Sequence, residues 1–163
     1  MSPISIRPAT APDVGPISRI EVVTALAPLQ AGNAQSLRLA FWRDAVEYGE
    51  PQVLVACEGD VIVGFVGYDR SRDPRTPPTM GEIWAIHVID SHLGHGVGLA
   101  LWDAAREGLT EEGCTHVSVW IELAQARALR FHELAGFKRD MPSLRTRAKG
   151  TCRVEEIRLK RTL

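Results

Sequence analysis

Two periodicities run through the chain, and the apolar positions pass from one to the other several times. Ile4 to Arg7 alternates as a short strand. The next segment, ATAPDVGPISRIEVVTAL, predicts a helix with Ile17, Ile20, Glu21 and Thr24 on one face. Thr10 and Asp13 stand three apart as in a capping box, and Pro16, harmless only in a first turn, makes Asp13 the N-cap. Pro28 and the Gly32-Asn33 pair break this helix. Ala34 to Tyr48 predicts a second one, with Leu37, Phe41, Ala45 and Tyr48 at helical spacing, closed by Gly49 and Pro51.

Gln52 to Cys57 and Val61 to Tyr68 are apolar on both faces and joined by Glu58-Gly59-Asp60, which predicts two central strands in a hairpin. Asp69 to Thr79 carries Pro74, Pro77 and Pro78 among charges, a loop that flexes or reaches over a site. Met80 to Ile89 is a third strand. A helix begins at Val97, with Leu101, Ala104, Ala105 and Gly108 on one face, and stops at Gly113. Cys114 to Ile121 reads as a strand, Ala124 to Ala135 as a helix closed by Gly136, and Phe137 to about Arg161 as a final pair of strands. The order predicts an α/β fold with a mixed sheet of about seven strands and four helices, in one domain over residues 1–163.

At 163 residues the chain can bury a sizeable core. Its net charge of -1 gives no bulk attraction to nucleic acid or an acidic membrane. Cys57, Cys114 and Cys152 lie far apart with no C-x-x-C, so they form neither a disulfide framework nor a zinc site, and they suit a reducing compartment. MSPISIRPATAPD has no basic-then-apolar signal pattern, and no apolar run approaches the roughly twenty residues of a membrane span. The expected location is the cytoplasm.

The stretch from Glu82 to Leu101, EIWAIHVIDSHLGHGVGLAL, leaves a strand through Gly94-His95-Gly96-Val97-Gly98 and enters a helix. A helix entered through glycines has no side-chain cap, and its first N–H groups, at the positive end of the dipole, want an anion. A dinucleotide fingerprint would need glycine at Leu99 or Leu101, and a P-loop would need a lysine; both fail. The remaining pattern, G-x-G-x-G after a strand, resembles the GNAT superfamily of acyl-CoA-dependent N-acyltransferases. That family writes Arg/Gln-x-x-Gly-x-Gly/Ala here, around the CoA pyrophosphate. Its glycines fall on Gly96 and Gly98, but its Arg/Gln falls on Leu93, and His95 stands where arginine is frequent.

A second resemblance lies at Gln125-Ala-Arg-Ala-Leu-Arg-Phe-His132-Glu-Leu-Ala-Gly-Phe137. Relatives often place an asparagine at Gln125 to contact pantetheine and a tyrosine at His132 to protonate the CoA sulfur. The resemblance spans essentially the whole chain. It implies central strands splayed at a gap that takes the pantetheine arm, with the backbone at Val88 bonding it like an extra strand. The implied cofactor set is Val88, Leu93, Gly94, His95, Gly96, Val97, Gly98 and Gln125, with acetyl-CoA as cosubstrate and no metal. The acceptor would be a small-molecule or peptide amine, chosen by the first two helices, their connection around Ala25 to Gln35, and the two long loops. Many relatives pair as homodimers.

Glu82 is a carboxylate inside an apolar strand, read on the same face as Trp84, Ile86 and Val88. Burial raises its pKa toward that of a general base, a role many relatives give this position; pairing with an arginine is the other reading. His132 either replaces the tyrosine as acid or leaves protonation to solvent; a third reading is a histidine bonded to a helix carbonyl. His87, His92 and His95 straddle a strand and a turn without a ligand set for a metal. Trp42, Trp84, Trp102 and Trp120 default to core packing. Arg145, Arg147, Lys149 and Arg153 read as a solvated hairpin, or as a holder of CoA phosphates or of a carboxylated substrate. A chain lacking the family's arginine and tyrosine also fits a non-catalytic module that kept the fold and lost the cofactor.

Overall fold

The computed structural model describes residues 2–24 and 33–163. Pro28, Gly32 and most of the connection expected to choose the acceptor lie outside them. Strand β1 (Ile4–Pro8) passes through one 3-10 turn into helix α1 (Val14–Thr24). Then come α2 (Asn33–Tyr48), β2 (Gln52–Glu58), β3 (Val61–Arg70), β4 (Met80–Val88), α3 (Val97–Glu111), β5 (His116–Glu122), α4 (Ala126–Leu134), β6 (Lys138–Lys149) and β7 (Cys152–Thr162). The seven strands form one open sheet in the order β1-β2-β3-β4-β5-β7-β6. Its strand pairs are antiparallel except β4 with β5.

Asp13 organises the entrance to α1. Its carboxylate accepts hydrogen bonds from the Thr10 backbone N–H (2.7 Å) and hydroxyl (3.0 Å), and Arg7 of β1 grips both oxygens at 2.6 and 3.0 Å. The Arg7 bonds, with help from Thr10, outweigh burial and hold the Asp13 pKa down to about 2. The short edge strand is thereby tied to the first helix.

Helices α3 and α4 cover one face of the sheet. Leu101, Trp102, Ala105 and Leu109 of α3 pack there against Val117, Val119, Ile157 and Leu159. On the other face α1 and α2 place Ile17, Ile20, Trp42 and Ala45 over Val53, Val55 and Phe65. The face expected for α2 is corrected: Leu37 and Tyr48 are exposed, and the helix turns on Trp42, which is fully buried. Gly67 makes room for it, since a Cβ there would meet the indole at 3.1 Å, and Phe65 meets its ring edge-on at 5.1 Å. The Trp42 indole N–H also donates to Glu21 (3.2 Å), whose carboxylate Arg38 holds at 2.8 and 2.6 Å. Burial pushes Glu21 up, but the Arg38 bonds and charge prevail and keep it below the usual range. This buried polar set joins α1 to α2.

Candidate active site

Strands β4 and β5 run paired only from Met80↔His116 to Ile83↔Val119. Beyond that point β4 stays with β3 as far as Val88↔Gly64, while β5 stays with β7 as far as Glu122↔Glu156. A gap opens in the middle of the sheet. Its local cause is a bulge: Gly67 pairs with Ala85 and Tyr68 with Ile83, so Trp84 has no opposite number.

The bulge also corrects the face assigned to β4. Trp84 stacks on Phe41 of α2 at 6.0 Å and Ala85 joins the α1–α2 cluster, whereas Ile83, Ile86 and Val88 pack into the α3 core. Glu82 and Trp84 share the α1–α2 face; Ile86 and Val88 do not. One extra residue reverses the alternation that a period of two assumes. The Ile89 N–H donates to the Val63 carbonyl at 3.0 Å. By antiparallel alternation the N–H and C=O groups of Ile86 and Val88 then point into the gap.

Glu82 is fully buried at the closed end of this gap. The Arg72 backbone N–H donates to Oε1 at 3.2 Å, and Arg72 Nε lies 3.1 Å from Oε2, out of hydrogen-bond alignment. Burial raises the Glu82 pKa; Arg72 pulls it back in part, and Asp73 adds to the rise. Both sequence readings of this residue therefore meet in one arrangement, a buried carboxylate of raised pKa with an arginine beside it.

At the open end, a 3-10 turn at Asp90–His92 leads to the glycines. Leu93 has committed its N–H to the Asp90 carbonyl at 3.2 Å. Gly94 (φ 75°) and Gly96 (φ 82°) adopt left-handed backbone, and a Cβ at either would touch nothing, so conformation rather than space calls for glycine there. Gly98 is the reverse case, with Phe131 of α4 3.2 Å from where its Cβ would sit. Gly96 begins α3 without a side-chain cap, so the first N–H groups of the helix lack intrahelical partners. His95 is exposed beside them and Val97 is buried beneath. These free donors and the unpaired edge of β4 suit a phosphorylated, amide-bearing chain such as CoA.

Gln125 starts α4 just past the end of β5, its side chain making no capping bond. His132 lies 3% exposed between Phe131 and Phe137, both edge-on at 5.1 and 5.2 Å. Its Nδ1 is 2.8 Å from the Ala128 carbonyl. A carbonyl only accepts, so Nδ1 carries the proton. Burial lowers the His132 pKa despite that bond.

His87 lies tilted against Phe65 at 5.4 Å on the α1–α2 face, His92 contacts Glu58 at 3.2 Å, and His95 lies in the turn. Among the described residues no three His, Cys, Asp or Glu side chains gather as a metal site. Trp42 and Trp102 are buried as expected. Trp84 and Trp120 are instead half-buried platforms, carrying the guanidiniums of Arg72 at 4.5 Å and Arg145 at 3.6 Å from the ring centroids. Three of the four cations of the basic run are paired: Arg145 and Arg147 with Glu156, and Arg147 and Lys149 with Glu122. Sequence reasoning missed Arg72, Asp73 and the backbone of Ile86. The charged, proline-rich loop was the one signal for the first two.

Gap, uncapped turn and buried carboxylate thus lie together along one edge of β4. A sequence profile of the Acetyltransferase (GNAT) family matches residues 21–137, and the chain belongs to that family. Mycothiol acetyltransferases are among its curated relatives. That of Kocuria rhizophila is 32% identical over 80 residues, 49% of this chain and 26% of the relative; that of Sanguibacter keddieii is 34% identical over 99 residues, 60% and 30%. The chain thus spans less than a third of the length of either. The fold is similar to that of yncA from Salmonella typhimurium, solved with its cofactor acetyl-CoA, with TM-score 0.75 and 21% identity over 98% of this chain and 93% of that one. Among the described residues no helix is long and apolar enough to cross a membrane.

Proposed function

We propose that the chain transfers an acetyl group from acetyl-CoA to an amine by direct attack within a ternary complex. The observation that carries this reading is that the sheet opens one residue pair beyond Glu82, beside a carboxylate oxygen that accepts no hydrogen bond. Glu82 takes the proton of the incoming amine, directly or through water, which a carboxylate of raised pKa does well near neutral pH. The N–H groups of Ile86 and Val88 serve the acyl carbonyl and the pantetheine amides. Backbone donors over His95, Gly96, Val97 and Gly98 hold the diphosphate, with Gln125 on the opposite lip of the gap. Leu93 brings neither charge nor a free donor.

His132 is read here as a packing residue. Its one proton when neutral is committed to Ala128, and burial opposes a second, which supports protonation of the departing thiolate by solvent. The acceptor is a small-molecule or peptide amine, met in the cytoplasm. Titration calorimetry with acetyl-CoA tests the reading: a Kd of about micromolar size is expected, and Glu82→Gln should keep binding while thiol release with an amine mixture collapses. No heat at millimolar acetyl-CoA would leave a fold retained as a binding module.

A further inference from the structure

Among the described residues, three buried side-chain polar atoms lack a hydrogen bond: Glu82 Oε2, Trp84 Nε1 and Arg158 Nε. All three belong to the sheet face on the α1–α2 side. Alternation from Val119, Ile157 and Leu159, which sit in the α3 core, puts Trp120 and Arg158 on that face too. The loop after β3 binds the group together: Asp73 accepts from the Trp120 indole (3.0 Å to each oxygen) and from Arg158 (3.1 Å). Buried polar atoms in native proteins nearly always find partners, so orphans on the same sheet face as one candidate base point to a ligand on that face.

The orphans also state the ligand's chemistry. One is an acceptor, Glu82 Oε2, which has Arg72 Nε 3.1 Å away but accepts no aligned hydrogen bond, and it suits the N–H of an amine. Two are donors, and they are joined by guanidiniums with capacity to spare. Arg72 and Arg145 are each half exposed, at 53% and 50%, each lying on an indole and each meeting its carboxylate partner through Nε. The nearby acids have none to spare, for Asp140 is paired with Arg158 and Lys160, and Glu156 with Arg145 and Arg147. What the face leaves unfilled is one site for an amine beside several donors for an anion.

We infer that the acceptor is a free α-amino acid, its amine set against Glu82 and its carboxylate held by Arg72 and Arg145 over Trp84 and Trp120. This rests on the acetyltransferase reading and narrows it. A planar guanidinium gives a carboxylate two parallel N–H donors, a geometry a carboxamide cannot match. A peptide N-terminus or an amino sugar presents its amine without the neighbouring anion.

The test is thiol release from acetyl-CoA with the twenty L-amino acids, each beside its own amide, for the native chain and for Arg145→Leu. At least one amino acid should exceed its amide in kcat/KM by about 10- to 100-fold. Arg145→Leu should remove most of that ratio, chiefly through KM of the acid and with a smaller fall for the amide, and its melting temperature beside that of the native chain shows that the variant is folded. An amide used as well as its acid, or an equal loss for both in Arg145→Leu with an unchanged melting temperature, overturns the inference. Tight acetyl-CoA binding with no amino acid turned over, while another amine is, overturns it and leaves the acetyltransferase standing. Absence of acetyl-CoA binding overturns both.

Discussion

Arg72 meets both oxygens of Glu82, one through its backbone N–H at 3.2 Å and the other through Nε at 3.1 Å. Glu82 is fully buried and the Arg72 side chain is half exposed, so the arginine is the movable partner. An anion that drew the guanidinium aside would leave the carboxylate a stronger base. On the proposed reading, recognition of the acceptor and the strength of the base would be coupled through this contact.

Glu82→Gln should lower kcat by about 10²- to 10⁴-fold with the acetyl-CoA Kd little changed. Glu82 loses its proton above the ordinary glutamate range because burial raises its pKa. The acidic limb of kcat/KM, measured with a fixed acceptor, therefore belongs above that range. Arg72→Ala removes the charge that opposes the rise, so the limb should move to higher pH; a shift downward would contradict the base assignment.

Leu93→Arg restores a cation beside the glycine turn. Acetyl-CoA should bind about 3- to 10-fold more tightly at low salt, and the gain should shrink as salt is added, since an exposed charge is screened. Calorimetry at two ionic strengths reads both effects.

Gly98→Val places a branched side chain against Phe131, which already lies 3.2 Å from the Cβ position. The acetyl-CoA Kd should rise about tenfold or more and the melting temperature should fall, since overpacking costs about 1–3 kcal/mol. An unchanged Kd would remove the turn from the cofactor site.

His132→Phe should leave kcat within about twofold, because the buried imidazole has no proton free for the thiolate. Its folded pKa lies below the ordinary histidine value, so its contribution to stability is intact above that value and falls as pH drops toward the folded pKa. Denaturant midpoints from pH 7 to 5 should decline less steeply in the variant. A large loss of kcat would reinstate the histidine as acid.

Asp13→Ala should cost about 1–2 kcal/mol at pH 7, allowing for the exposure of Arg7. The Asp13 pKa is depressed to about 2, so its contribution is present above the ordinary aspartate value and lost as pH falls through about 2. Urea midpoints of the two proteins should converge at that acid limit.

Periodicity and punctuation carried most of the architecture. The seven strands, the four helices, the Glu58–Asp60 hairpin and the glycine entrance to α3 could be placed within a few residues because each depends on local rules, namely alternation, capping and left-handed glycine. Glu82 stood out for a similar reason, as a charge in an otherwise apolar strand. The burial of Trp42 in place of Leu37 and Tyr48 could not be read, since it depends on the space over Gly67, a residue of another element.

The sequence by itself determined the elements, their order and the uncapped glycine entrance to α3, because those follow from each residue and its near neighbours. Only the tertiary structure decided that a bulge at Trp84 parts Ile86 from Glu82, that Arg72 lies on Glu82, and that Trp84 and Trp120 carry guanidiniums instead of filling the core. Those outcomes turn on pairing register and on side chains brought together from β4, β5, β6 and a loop. Contacts at such separations are set by the packing of the whole sheet, and no local pattern encodes them.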